Sequence, residues 1–194
     1  MSNIEIITPP TGEVITLADA KAFIRVDHAS DDVMIQAMID TAVKMVQAYT
    51  NRTFLTTTFR WSGPYLLAPS RDVPKPFIEL RKSPVVTVNS FTVLEDGIRS
   101  DVTFERQKSV TYDRLWIPDY EELDPDEHPE AYQVEFVAGY GDADAVPPGL
   151  KEAIKRLVAF QYENKDDTTP DTGERLPAGV KFVARSFRII PGFG

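Results

Sequence analysis

The chain has 194 residues, no cysteine, and a formal net charge of −9 from 30 acidic and 21 basic side chains. The absence of cysteine excludes disulfides, thiolate zinc sites and cysteine nucleophiles, and the negative charge disfavours a main role in gripping nucleic acid. No signal peptide is visible and no apolar stretch approaches the ~20 residues of a membrane span, so we expect a soluble protein made in a cytoplasm.

A helix is predicted directly after an extended N-terminal arm, residues 1–15. Thr16 is a good N-cap, and Asp19 occupies the third helical position, where a carboxylate suits the amide-rich end of a helix. Apolar residues then recur at helical spacing, which predicts a short helix over 17–26.

A second, longer helix is predicted from a cap at Ser30 or Asp31 to Tyr49. Its apolar positions form one broad stripe with heptad-like spacing. The members of this stripe are Met34, Ile35, Met38, Ile39, Ala42, Met45, Val46 and Tyr49. We assign most of the stripe to the core, although its methionines would also suit an adaptable partner surface.

The hydrophobic period changes to that of strands in the middle of the chain. Runs of β-branched and aromatic residues predict an antiparallel unit of about six strands. These runs lie at residues 56–61, 77–81, 85–94, 102–105, 111–117 and 132–137. Glu95-Asp96-Gly97 is a hairpin-turn signal.

The C-terminal part combines a helix with an unusual tail. Pro147-Pro148-Gly149 introduces a helix over 148–163, because proline is tolerated in the first helical turn. Residues 165–180 are rich in Asp, Thr, Pro and Gly, and we expect them to be mobile. The tail from Val180 alternates apolar and basic residues, so we predict that it adds a strand to the chain's own sheet or docks onto a partner.

Together these elements predict an α+β fold: a helical bundle of two N-terminal helices and one C-terminal helix, interrupted by an antiparallel β insertion and followed by an extended C-terminal tail. The whole chain is treated as one domain. Its parts are a helical frame at 16–54 and 147–164, a β insertion at 55–142, and a flexible linker and docking tail at 165–194.

No constellation of residues points clearly to catalysis, so we expect a non-enzymatic protein without a cofactor or a metal. The acidic stretch 119–130 supports the main alternative, a metal-dependent hydrolase. Its ligands would be Asp119, Asp124, Glu127 and His128. Runs of acids are usually solvated faces, and nothing here positions a base against a nucleophile. A monomeric binding module that presents its sheet to a small partner is a further alternative.

Two other clusters have ordinary structural interpretations. Asp27, His28, Asp31 and Asp32 surround a break between helices and match no EF-hand spacing, so we interpret them as capping residues. The segment 139–144 lacks the Lys and Ser/Thr of a phosphate loop, and we interpret it as a β-to-helix turn that uses its glycines.

Six short motifs flank the β insertion in a fixed order. They are Leu17-Ala-Asp-Ala-Lys-Ala-Phe-Ile-Arg-Val-Asp27, Asp31-Asp-Val-Met-Ile35, Ala48-Tyr-Thr-Asn-Arg52, Val137-Ala-Gly-Tyr-Gly141, Val146-Pro-Pro-Gly-Leu-Lys-Glu-Ala-Ile154 and Tyr162-Glu-Asn164. Their order and spacing resemble the phage head–tail connector (adaptor) family, including its gp6-like and gp8-like members. The shortest members are nearly all helical, so the β insertion is a departure from their pattern.

The resemblance implies a structural subunit of a tailed phage or prophage, located in the virion at the head–tail junction. Such adaptors form a ring of about twelve copies below the portal protein, extend the DNA channel and receive a stopper or tail-completion protein. Their C-terminal segment typically docks on the portal. The corresponding anchors here are Arg185, Phe187, Arg188, Ile189 and Phe193. An acidic channel wall would let DNA pass without holding it.

Overall fold

The computed structural model describes residues 2–68, 75–109, 111–165 and 176–190. The chain is of the mixed α+β class, which confirms the predicted class. It divides into two compact units. The helical unit consists of Thr11–Leu55 and Tyr140–Ile189, and the β unit is built on Thr56–Gly139 with the N-terminal residues up to Pro10.

Helix α1 spans Leu17–Ile24 and starts at a complete capping box. The Thr16 hydroxyl accepts a hydrogen bond from the Asp19 amide at 3.1 Å, and the Asp19 carboxylate accepts one from the Thr16 amide at 3.3 Å. The Thr16 hydroxyl also donates to this carboxylate at 2.9 Å. This bond and the one from the Thr16 amide lower the pKa of the Asp19 carboxyl because they favour its charged form. Arg25 ends the helix in the left-handed conformation, with φ 59°.

Helix α2 spans Asp32–Thr50 and ends at Asn51, which also has a left-handed backbone. Its fully buried residues follow the helical repeat through the middle of the predicted stripe, whereas Met34, Met38, Met45 and Tyr49 are half-buried. The buried positions are Ile35, Ile39, Ala42, Val46 and Thr50. Assigning the stripe to the core is therefore confirmed for its central positions.

Helix α3 spans Pro148–Glu163, as predicted, and it buries one face in the same core as α2. Leu150, Ala153, Ile154, Leu157 and Val158 form this face. Helix α4 spans Ala178–Ala184 and continues into a 3-10 turn at Arg185–Phe187.

The prediction of an extended C-terminal tail is wrong for residues 178–187. Val180 and Ala184 are buried in the core of the helical unit, and Ile189 is also buried. The apolar residues of this segment fit a strand by alternation, but Val180, Val183, Ala184 and Phe187 also recur at the three- and four-residue spacing of a helix. Most of the predicted mobile linker, residues 166–175, lies outside the described residues.

The β unit contains a five-stranded antiparallel sheet and a three-stranded one. In chain order the strands are β1 Asn3–Thr8, β2 Thr57–Gly63, β3 Phe77–Leu80, β4 Val85–Glu95, β5 Ile98–Asp101, β6 Glu105–Gln107, β7 Asp113–Trp116 and β8 Tyr132–Ala138. The larger sheet has the order β1-β2-β8-β4-β5 and the smaller one β3-β7-β6.

Two predictions about strands need correction. The N-terminal arm is not merely extended, because Ile4 pairs with Trp61 and Ile6 with Phe59 in β1–β2. The strand predicted at 102–105 is misplaced, because residues 102–104 lie between β5 and β6 and only Glu105 belongs to β6. The reason is the hairpin at Asp96-Gly97, where both residues have positive φ (50° and 73°), so that β5 begins directly after the turn at Ile98.

The core of the β unit lies against one face of the five-stranded sheet. Alternate residues of β8 are buried, namely Tyr132, Val134, Phe136 and Ala138. Phe59 stacks on Phe136 with ring centroids 5.7 Å apart. Within the described parts of the chain, no helix combines the length and apolarity needed to cross a bilayer.

Replacing a core residue of α3 should destabilise the helical unit far more than replacing an exposed one. Ile154 is fully buried, so Ile154→Ala should lower the free energy of unfolding by about 2–5 kcal/mol. Phe160 on the same helix is 47% exposed, and Phe160→Ala should cost under about 1 kcal/mol. Urea unfolding followed by circular dichroism at 222 nm measures both. Equal losses for the two variants would contradict this assignment of the core face.

Candidate interaction site

Residues of the sequence motifs form hydrogen bonds that connect the two ends of α2 to other parts of the chain. At the start of α2, the Tyr162 hydroxyl donates to the Asp31 carboxylate at 2.6 Å, and the Lys21 ammonium donates to Asp32 at 2.6 Å. Asp31 occupies the N-cap position but makes no side-chain capping bond. Its predicted capping role is therefore wrong, because the carboxylate accepts from α3 instead.

The Asp31–Tyr162 pair shifts the titration of both groups. The hydroxyl bond from Tyr162 lowers the pKa of Asp31, since it stabilises the carboxylate. The same bond raises the pKa of Tyr162, since the phenol must keep its proton to donate. Lys165 lies 4.0 Å from the Asp31 carboxylate and adds a weaker attraction.

At its other end, α2 is joined to the C-terminal segment by an arrangement that we call the C-terminal clasp, residues 49–52 with residues 187–189. The Ile189 amide donates to the Thr50 carbonyl at 2.9 Å, and the Asn51 side-chain amide donates to the Ile189 carbonyl at 2.9 Å. The Arg52 side chain donates to the Phe187 carbonyl at 3.1 Å. The Arg188 guanidinium stands 4.8 Å from the centre of the Tyr49 ring.

The clasp provides a hydrogen-bond partner for a carbonyl at the C-terminal end of α2. The last carbonyls of a helix have no partner within it, and the Ile189 amide supplies one for Thr50. Asn51 has φ 54°, and asparagine tolerates this left-handed turn better than most residues. The motif Ala48-Tyr-Thr-Asn-Arg52 thus has a structural explanation, since each residue from Tyr49 to Arg52 contacts the C-terminal segment.

Gly149, in the Pro-Pro-Gly motif, makes room for the same segment. A Cβ placed on Gly149 would lie 2.7 Å from the ring of Phe187, closer than any stable carbon contact. The absence of a side chain in the first turn of α3 therefore lets the Phe187 ring pack against the helical core.

Phe182 of α4 is exposed, as are Arg185 and Ser186 of the 3-10 turn that continues it, and we call these three residues the outer face of α4. Phe182 is 74% exposed, and the Arg185 guanidinium lies 5.9 Å from its ring centre. Aromatic and arginine side chains are enriched in protein–protein interfaces. This face is the candidate interaction site in the helical unit.

The predicted anchors do not share one environment. Arg185 and Arg188 are exposed, Phe187 is half-buried, and Ile189 is buried with 3% of its surface exposed. Phe193 lies outside the described residues. Phe182 was missed because the segment was interpreted as alternating. Its helical spacing, opposite Val180 and Ala184, is the signal that would have placed it outward.

Residues of the acidic stretch 119–130 form hydrogen bonds with the β4–β5 hairpin. The Asp126 carboxylate accepts from the amides of Asp96 at 2.9 Å and Gly97 at 3.0 Å, and the Asp124 amide donates to Glu95 at 2.7 Å. His128 accepts from the Glu130 amide at 3.1 Å. Across the described ranges, no three His, Asp or Glu side chains are grouped so as to hold a metal ion.

The turn between β8 and α3 agrees with its prediction. Gly139 and Gly141 both have φ 133°, a region that favours glycine. The Asp142 carboxylate accepts from the Ala145 amide at 3.1 Å and shapes the turn. Asp113 in β7 is buried, and its carboxylate accepts from Arg106 at 2.7 Å and from the Ser109 amide at 3.1 Å.

Comparison with known proteins agrees with this architecture. Residues 14–93 match the family described as "Phage gp6-like head-tail connector protein". No curated protein matches the chain. The resemblance drawn from the motifs is thereby confirmed: the chain is similar to the gp6-like head–tail connectors.

Solved structures share the fold of nearly the whole chain. A chain from the neck of an empty GTA particle, computed with C6 symmetry, aligns with a TM-score of 0.73 at 18% identity, covering 99% of this chain and 98% of that one. A chain from the virion of a native gene transfer agent particle gives 0.72 at 20% identity, covering 98% and 97%. A chain from the neck of a native GTA particle, computed with C12 symmetry, gives 0.61 at 18% identity, covering 97% and 98%.

These matches clarify the β insertion. The family match continues past α2 through β2 and β3 to Val93 in β4, and the solved structures align over both units. The β unit is therefore part of a shared fold. The motifs between Val137 and Asn164 lie beyond the family match.

Adding a methyl group at Gly149 should loosen the C-terminal clasp. Gly149→Ala forces the Phe187 ring to move, and overpacking of this kind costs on the order of 1 kcal/mol. We expect faster tryptic cleavage after Arg185 and Arg188. Gly179→Ala, in α4, is the matched control because its Cβ would meet nothing within 4 Å, and alanine favours a helix. Identical cleavage rates in the two variants would contradict the proposed packing of Phe187.

Removing the Tyr162 hydroxyl should give a pH-dependent loss of stability. The lowered pKa of Asp31 means that the bond contributes above about pH 4 and is lost as the pH falls through the folded-state pKa. The raised pKa of Tyr162 means that the contribution persists below about pH 10 and is lost at higher pH. Tyr162→Phe should therefore unfold at a lower urea concentration than the wild type at pH 7. The difference between the two urea midpoints should become smaller at both low and high pH. Tyr65→Phe, at an exposed tyrosine, is the control and should have the urea midpoint of the wild type at every pH.

Proposed function

We propose that this chain is the structural head–tail connector subunit of a tailed phage or phage-like particle, with no enzymatic role. The observation that carries the proposal is that its two-unit fold, including the β insertion, aligns end to end with chains of particle necks. The match of residues 14–93 to the gp6-like connectors supports the same role from the sequence alone. The protein would be made in the host cytoplasm and reside in the virion at the head–tail junction.

The subunit would work as a ring of about twelve copies below the portal protein. Necks of particles that contain this fold were computed with six-fold and twelve-fold symmetry, which supports a cyclic arrangement. The ring would extend the DNA channel and receive a stopper or tail-completion protein. A net charge of −9 favours passage of DNA over retention, because phosphates are not held by acidic walls.

In finer detail, we interpret the helical unit as a frame, a bundle of α1, α2 and α3, that is interrupted in sequence by the β insertion. The C-terminal segment completes this frame through α4 and the clasp. The portal would then contact the outer face of α4 together with Arg188. Phe187 packs against the core of the helical unit and Ile189 is buried, so these two residues would support that face from within.

Electron microscopy of the subunit mixed with its portal tests the proposal as a whole. The expected result is an additional ring of density, with the portal's symmetry, on portal-bearing particles. Persistent monomers that leave the portal bare would contradict the connector role and favour a free-standing binding module.

A charge reversal on the outer face of α4 should weaken portal binding without unfolding the protein. Arg185→Glu changes an exposed residue whose ring contact is to the equally exposed Phe182. We expect co-sedimentation with portal-bearing heads to fall about tenfold or more, as for loss of one interface arginine. Lys44→Glu, an exposed reversal on α2, is the matched control and should bind normally. Equal binding by both variants would contradict the α4 docking face.

A further inference from the structure

The two edges of the five-stranded sheet differ from the other edges of the β unit. β1 and β5 close its ends, and each presents a large apolar side chain to solvent. Ile6 of β1 is 57% exposed and Ile98 of β5 is 71% exposed. Edge strands normally carry charges, proline or a covering segment that prevents pairing with another chain, so the exposed isoleucines at these two edges call for an explanation.

The three-stranded sheet shows the usual protection. On the β3 side, Leu67 and Phe77 exchange backbone hydrogen bonds of 2.8 and 3.1 Å, which covers one end of that strand. β6, at the opposite edge, is three residues long and carries Glu105 and Arg106. β1, by contrast, is six residues long with three isoleucines, and Glu5 is its single charged side chain.

The registers place the exposed isoleucines on the same face of the sheet. Ile6 lies opposite Phe59 in β2, and Ile98 lies opposite Glu95 in β4. Following the pairs through β8 shows that these positions are on the face that carries Phe136 and Val93. Side chains of a strand alternate between faces, so Glu5 and Arg99 share the other face.

That second face carries Glu5 at the β1 edge, and Arg99 and Asp101 at the β5 edge. Arg60 is shared by Glu5 at 3.1 Å and Glu135 at 3.5 Å, which leaves the β1 side with more negative than positive charge. Arg99 is exposed at the opposite edge, where it donates to the Glu130 carbonyl at 2.8 Å. If β5 of one copy lay beside β1 of another, isoleucine would meet isoleucine on one face and Arg99 would approach Glu5 on the other.

Strand direction also suits this pairing. Each neighbour in the order β1-β2-β8-β4-β5 is antiparallel, so β1 and β5 point the same way. Copies arranged head to tail would therefore pair in parallel, and such a contact propagates until a ring closes. A symmetric β1–β1 contact would instead stop at a dimer and bring Glu5 near its own copy.

We propose that β5 of one subunit pairs with β1 of the next, so that the five-stranded sheet continues from copy to copy. This inference rests on the proposed ring and specifies the surface by which it forms. The occupant of each edge is a second copy of this chain, selected by main-chain hydrogen bonding, by the Ile6–Ile98 contact and by the charges of Glu5 and Arg99.

Cross-linking tests the pairing directly, because the chain has no native cysteine. Ile6→Cys and Ile98→Cys together, treated with a short bis-maleimide at high protein concentration, should give a ladder of covalent multimers. Mixing the two single variants should give a heterodimer only. A ladder supports the proposal, whether or not closed rings are visible. Monomers, or homodimers of the Ile6→Cys variant alone, overturn it.

Charge insertion at the edge provides an independent measurement. Ile6→Lys should weaken self-association by about tenfold or more, as measured by light scattering over a concentration series. Val33→Lys, at an 87% exposed residue of α2, is the matched control and should associate like the wild type. Circular dichroism verifies that both variants fold.

The outcomes separate the edge contact from the ring. Rings that form in the Ile6→Lys variant, with no ladder from the cysteine pair, overturn the edge contact and leave the connector role intact. Failure of the wild type to form either rings or a ladder, with and without portal, overturns both.

Discussion

The hydrogen bonds between the end of α2 and the C-terminal segment are the interaction on which the helical unit depends. A helix of 19 residues ends in carbonyls that have no partner of their own. Here a segment more than 130 residues away in sequence supplies an amide to Thr50 and receives one from Asn51. Because the contact uses main-chain groups of Phe187 and Ile189, it fixes the path of the C-terminal segment while leaving several of its side chains exposed.

This arrangement explains how one short segment combines two roles. Val180 and Ala184 complete the core and Ile189 is buried, whereas Phe182 and Arg185 are exposed and remain available to a partner. A rigid, internally held helix loses less conformational freedom on binding than an extended tail would. The helical reading of the segment therefore strengthens the case for docking, although it moves the contact residues from those first predicted.

Local signals in the sequence were sufficient for much of the fold. The Thr16 capping box, the stripe of α2, the proline start of α3 and the Asp96-Gly97 turn each have a short-range physical cause, and each appears where it was predicted. A wrong prediction occurs where the strand period and the helix period of apolar residues both fit the same segment. Val180 to Ile190 satisfies both alternation and helical spacing, and only the core of the helical unit, formed by distant residues, decides between them.

The same reasoning explains what the sequence did not reveal about the sites. β1 was missed because Pro9, Pro10 and Gly12 give the arm the composition of a loop, whereas its strand structure comes from pairing with β2. The tie between Asp31 and Tyr162 joins residues 131 positions apart, which no local pattern encodes. Asp31 and Tyr162 both lie in motifs that were recognised, but the contact between them was not. Residues that resemble a family at short range thus identify the anchor points of a fold, and the long-range contacts between them determine which surfaces remain free for assembly.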